Sequence, residues 1–128
     1  MLHIPQILTK QQVAELRQQL DASHSWIEGH QSAGSQAQKI KKNLQLDTNS
    51  LIYQDIAPVI SHTLQRHLLV QSAGLAKHIL SPLFNCYQEN GSYGNHVDNA
   101  VQYSKALGHS IRTDVSITLF LAEPDEYE

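Results

Sequence analysis

Tyr87-Gln88-Glu89-Asn90-Gly91-Ser92-Tyr93-Gly94-Asn95-His96-Val97-Asp98-Asn99 is the stretch on which the reading of this chain turns. Asn-Gly is the favoured pair for a two-residue hairpin turn, because both of its central residues must take positive φ. Here Asn90-Gly91 separates residues 83–87 from residues 93–98, so two strands joined by a tight turn are predicted. His96 and Asp98 stand two apart on the second strand. Successive side chains of a strand alternate between faces, so the imidazole and the carboxylate share one side of the sheet. With a two-residue loop, Tyr87 pairs with Gly94 and Asn85 with His96, which sets the Tyr87 phenol beside the His96/Asp98 face. One additional loop residue reverses that placement, because register decides the face.

Outward from this stretch, a third strand is expected where Val115, Ile117, Leu119 and Leu121 alternate with Asp114, Ser116, Thr118 and Phe120, a period of two that marks a half-buried strand. The intervening residues 99–111 read as an irregular connection. Towards the N-terminus the period changes. Thr9-Lys10-Gln11-Gln12 has the spacing of a capping box, and Val13, Leu16 and Leu20 follow at helical intervals, so a helix is predicted over 10–22. Ile52, Ile56, Val59, Ile60, Thr63 and Leu64 repeat at three and four behind Ser50 or Asn49 as N-cap, predicting a second helix. Pro58 falls inside it and predicts either a bend or a new start there. Residues 26–42, with Trp26, Gly29, Gly34 and the cluster Lys39, Lys41 and Lys42, give no readable pattern. The order is therefore helices first and strands later, an α+β chain. All 128 residues are expected in one domain, with 1–80 mainly a helical support and 81–128 carrying the strands.

Composition narrows the function. Hydrophobic residues are 41% of the chain and charged residues 16%, and the formal net charge is −3. Four acids, Glu123, Asp125, Glu126 and Glu128, sit in the last six residues, so the remainder is near neutral. That gives no footprint for nucleic acid and no basic patch for a membrane surface. Apolar runs such as 119–122 are far short of the roughly 20 residues that cross a bilayer, and the start Met1-Leu2-His3-Ile4-Pro5 lacks the pattern of a secretion signal. A cytoplasmic protein is expected. The single cysteine, Cys86, forms no intrachain disulfide and reads as a packed thiol in a reducing compartment.

A His-x-Asp pair on one strand face delivers two corners of the 2-His-1-carboxylate triad that holds non-haem Fe(II), the third ligand coming from another strand. Alone the pair says little, since about 0.4 such pairs arise by chance in a chain of this composition. The longer run from Tyr87 to Asn99, followed by Ile111-Arg112-Thr113-Asp114-Val115-Ser116-Ile117-Thr118-Leu119-Phe120-Leu121, is far rarer. It resembles the prolyl-hydroxylase-like Fe(II)/2-oxoglutarate-dependent dioxygenases, and within them the bacterial PKHD-type hydroxylases linked to iron uptake. The likeness extends through 44–46 and 81–85 and covers most of the chain.

The resemblance implies N-terminal helices packed on a double-stranded β-helix, or jelly roll. It implies that His96 and Asp98 bind Fe(II), that Tyr87 helps hold 2-oxoglutarate, and that ascorbate keeps the iron reduced. Dioxygen and an unidentified substrate are the reacting partners, the co-substrate being converted to succinate as a C–H bond is hydroxylated. It also implies a second histidine ligand and a co-substrate arginine a few tens of residues beyond 112–121, past Glu128. His109, only 11 residues after Asp98, does not fit the ligand position, and Arg112 reads as the partner of Asp114 or another acid. A jelly roll needs about eight strands. The chain is thus expected to be the first part of a longer hydroxylase, its barrel completed by association with another chain. The competing expectation is a non-catalytic interaction module that keeps the scaffold without the iron site. Iron loading under anaerobic conditions separates the two.

Overall fold

The computed structural model describes residues 1–29, 41–88, 92–93 and 98–126, with backbone alone at 41, 42, 92 and 93. Three helices, α1 (Lys10–Asp21), α2 (Leu51–Arg66) and α3 (Leu68–Gly74), are followed or interleaved by short strands. These are β1 (Trp26–Glu28), β2 (Lys41–Lys42), β3 (Leu44–Leu46), β4 (Asn85–Cys86), β5 (Ser92–Tyr93), β6 (Val101–Ser104) and β7 (His109–Arg112). The strands form small sheets, ordered β1-β3-β4, β2-β5 and β6-β7, so the mixed helix and strand content expected from the sequence is present. By contacts the chain divides into two units, residues 1–27 with 46–84 and residues 28–45 with 85–128.

The first unit is built on helices whose ends are chemically specified. Thr9 accepts from the Gln12 N–H while Gln12 Oε1 accepts from the Thr9 N–H at 2.8 Å, closing the capping box that starts α1. Asp47 Oδ1 accepts from the Asn49 N–H at 2.9 Å, and Ser50 Oγ accepts from the Tyr53 N–H at 3.2 Å, so turn and cap together start α2. Pro58 neither ends nor restarts α2, which runs through it to Arg66. The periodic residues point inward as expected except Val59 of α2, which is 60% exposed. Leu16 and Leu20 of α1, Ile56, Ala57, Ile60 and Leu64 of α2 and Val70 of α3 are buried together with Leu46 and Phe84, and Leu46 is wholly inaccessible. The Tyr53 ring meets Phe84 edge to face at 6.0 Å and its hydroxyl donates to Pro82 O at 3.0 Å; burial raises the phenol above its usual pKa. The residue after α3, Leu75, takes φ 44° and donates its N–H to Gln71 O, a left-handed cap more often filled by glycine.

The second unit departs from the sequence reading in three places. First, residues 99–111 are not irregular. β6 and β7 form an antiparallel hairpin with Val101 opposite Arg112 and Ser104 opposite His109. Gly108 at φ 71° allows the turn, its N–H donating to Ser104 O. Both strands are polar enough to hide their alternation. Second, residues 113–120 do not form the predicted half-buried strand: Val115 and Ile117 are 61% and 49% exposed. A period of two makes a strand only where a partner strand completes a ladder, and among the described residues 113–120 pair with no strand.

Third, among the described residues the strands flanking Asn90-Gly91 pair with another segment. Lys41 and Lys42 pair with Tyr93 and Ser92, and Leu44 and Gln45 with Cys86 and Asn85. Between these two sets of rungs lies one residue on one side, Asn43, and five on the other, 87–91. Residues 89–91 and 94–97 lie outside the described residues, and with them the Asn90-Gly91 turn and the register proposed for it.

Candidate functional site

Of the three residues singled out by the sequence, His96 lies outside the described residues. Asp98 and Tyr87 do not. Asp98 is exposed and stands three residues before β6. The ladder of the β6–β7 hairpin reaches almost to it, since the Thr113 N–H donates to Ala100 O at 2.9 Å and Thr113 Oγ1 donates to Asn99 O at 2.5 Å. The carboxylate of Asp98 is thereby carried at the open end of a hydrogen-bonded hairpin. Tyr87 follows β4 directly and is 48% exposed.

A carboxylate on an accessible backbone, one residue removed from an imidazole in sequence, is a donor set suited to Fe(II). Among the described residues no three His, Cys, Asp or Glu side chains come together to hold a metal ion. Asp98 is thus the corner of the expected set that the described structure presents. His109 is turned to its own loop, its Nδ1 lying 3.0 Å from Leu107 O. Arg112 Nε donates to Asp114 Oδ1 at 2.7 Å, the ion pair its spacing led us to expect, with both side chains largely in solvent. Cys86 is half-buried on β4, opposite Leu44.

Sequence reasoning passed over the amides next to Tyr87. Gln45 pairs with Asn85, so these two share a face, and Asn43 stands two residues from Gln45 on the same face. Asn43 Nδ2 donates to Asn85 Oδ1 at 2.9 Å. Asn43 and Gln45 are 7% and 2% exposed, and Asn43 Oδ1 and Gln45 Nε2 are buried without a hydrogen-bond partner. Gly29 lies hard against this row: a Cβ on it would come within 2.0 Å of Asn43 Oδ1 and 2.9 Å of Asn43 O, and its N–H donates to Asn43 O at 2.8 Å. The signal was present in the sequence as the alternations Asn43-x-Gln45 and Asn85-x-Tyr87, which need a known pairing before they can be seen as one face.

Among the described residues no helix is long and apolar enough to cross a membrane. No family model matches the chain. Whole proteins do. The chain is 44% identical over 128 residues to a PKHD-type hydroxylase of Hyphomonas neptunium, covering all of this chain and 56% of that protein. A PKHD-type hydroxylase of Burkholderia ambifaria is 42% identical and one of Caulobacter vibrioides 44% identical, each over 128 residues and with the same 56% coverage. By sequence, then, the chain is a relative of the PKHD-type hydroxylases, aligned over all of its own length and over little more than half of theirs.

Proposed function

We propose that this chain carries the iron-binding and co-substrate-binding strands of an Fe(II)- and 2-oxoglutarate-dependent hydroxylase of the double-stranded β-helix type. The observation that supports this reading best is the relation to proteins named PKHD-type hydroxylase along every residue of the chain, the His-x-Asp run included. The accessible position of Asp98 at the head of the β6–β7 hairpin agrees with it.

In this reading His96 and Asp98 hold the metal and Tyr87 donates its hydroxyl hydrogen to 2-oxoglutarate, whose carboxylates and keto group can only accept. When bound, ferrous iron supplies the redox chemistry in which dioxygen and 2-oxoglutarate become succinate and carbon dioxide while one oxygen atom enters a substrate C–H bond. The chain's own part would be to supply His96 and Asp98 as two ligands from one short stretch and to hold the co-substrate in one orientation through Tyr87. Ascorbate is the reductant that restores the ferrous state, and the protein works in the cytoplasm on a substrate not identified by these residues.

The test is succinate formation by the intact protein that contains this chain, with Fe(II), 2-oxoglutarate and ascorbate. His96→Ala and Asp98→Ala are each expected to reduce it to background and to abolish iron retention measured after anaerobic loading. Succinate formation unchanged in either variant rejects the assignment. A folded protein that takes up no iron at all favours a non-catalytic module on the same scaffold.

A further inference from the structure

We propose that Thr113 is a positioning residue for the metal site: its hydroxyl and its N–H together hold the main chain just after Asp98, so that the carboxylate is offered to the ion from one backbone setting. The inference rests on the Fe(II)-dependent reading above, in which Asp98 is a ligand, and adds a residue that acts through Asp98. It begins from the place of Asp98 in the chain. Asp98, Asn99 and Ala100 are exposed and precede β6, so neither burial nor a strand sets their backbone. Hydrogen bonds from elsewhere in the fold take over that task.

Thr113 supplies two of them. Its N–H donates to Ala100 O at 2.9 Å, and its Oγ1 donates to Asn99 O at 2.5 Å. The first bond carries the β6–β7 ladder one rung past the pairing of Val101 with Arg112. Any residue but proline at 113 can make it. The second is not a ladder bond, because a ladder is built from main-chain groups alone, and it needs a side-chain donor close to the backbone. Thr113 therefore grips two consecutive carbonyls, and each belongs to a planar peptide unit. With both planes held, Asn99 is the one residue left between Asp98 and the pinned chain.

A ligand already near its binding geometry loses less freedom when it coordinates, so the same bond yields a higher affinity. Groups that hydrogen-bond a metal ligand change metal affinity by about 10–100-fold when they are removed. Thr113 acts through the main chain next to the ligand, so a smaller effect is expected. If the hydroxyl served only to close the open end of the hairpin, its loss would lower stability and leave metal affinity as it was.

The experiment titrates the intact protein that contains this chain with Co(II) in place of Fe(II), so that affinity and the ligand-field absorption of the bound ion are read without turnover. Thr113→Val keeps the branched shape and the N–H and removes the hydroxyl. It is expected to weaken Co(II) binding by about 5-fold and to alter the absorption band. Thr113→Ser restores the donor and is expected to recover both. If Thr113→Val fails to fold, Thr113→Ala takes its place and must show the same weakening. Binding within about 2-fold of the parent and an unaltered band in the folded variant overturn the proposal, whatever its melting temperature. Failure of Thr113→Ser to improve on Thr113→Val overturns it as well. A parent protein that binds no Co(II), or an Asp98→Ala variant that binds it as the parent does, instead overturns the Fe(II)-dependent reading, and the role of Thr113 falls with it.

Discussion

Gly29 shows how one missing atom can matter more than most side chains present. Its Cα hydrogen occupies the position from which a Cβ would run into Asn43 Oδ1 at 2.0 Å and Asn43 O at 2.9 Å. The first of these atoms ends a side chain, while the second is backbone and cannot yield without disturbing the 2.8 Å bond from the Gly29 N–H. Gly29→Ala is therefore expected to destabilise the protein by about 1–3 kcal/mol, the usual range for overpacking, in a urea denaturation series. A loss under about 0.5 kcal/mol would show that Asn43 is free to move aside. This residue was visible in the sequence only as one of two glycines between Trp26 and the lysine cluster. Nothing in its local composition distinguishes a close approach to a residue 14 positions away from an ordinary loop. His96, Asp98 and Tyr87 stood out for the opposite reason, since their types and spacing can be read from the sequence without knowing the surroundings.

Among the elements, legibility follows how much of the folding information is local. α1 and α2 announce themselves through caps within three residues of their starts and apolar spacing along their lengths, and both form as read. α3 is seven residues long, too short for a period to register, and begins at a His67 that makes no side-chain cap. The β6–β7 hairpin escaped notice because its turn is a four-residue loop ending in Gly108 and its strands are polar. Residues 113–120 were misread for a nonlocal reason, since alternation describes a face and not the partner strand that a ladder requires. Element boundaries also offer a stability test. Leu75 carries φ 44° while being 84% exposed, so its side chain adds little packing to offset the left-handed backbone. Leu75→Gly is expected to stabilise the protein by about 0.5–1 kcal/mol, read as a higher melting temperature, because glycine takes this conformation without the Cβ clash.

At the scale of the whole molecule, apolar burial is unevenly shared. Every buried apolar side chain among the described residues belongs to the unit formed by 1–27 and 46–84, whereas the unit formed by 28–45 and 85–128 buries Asn43, Gln45 and Ser104. Leu46→Ala, at a fully inaccessible position, is expected to cost about 2–5 kcal/mol in equilibrium denaturation, and Ile117→Ala, at a position 49% exposed, under about 1 kcal/mol. Comparable losses at the two positions would mean that the 113–121 segment is packed in solution. The α+β content of the chain was legible because helices and strands occupy different stretches. Its division was not, because both units are assembled from segments far apart in sequence.

That division bears on how such a site can change over time. On the proposed function, substitutions that alter what is bound fall near Tyr87 and Asp98, while the buried apolar side chains among the described residues lie in 1–27 and 46–84. Most mutations that reach a new specificity are lost because they first lower stability below what function tolerates. On the proposed function, changes beside Asp98 and changes to the packing around Leu46 fall on different segments of the chain, so binding and stability are altered by different substitutions.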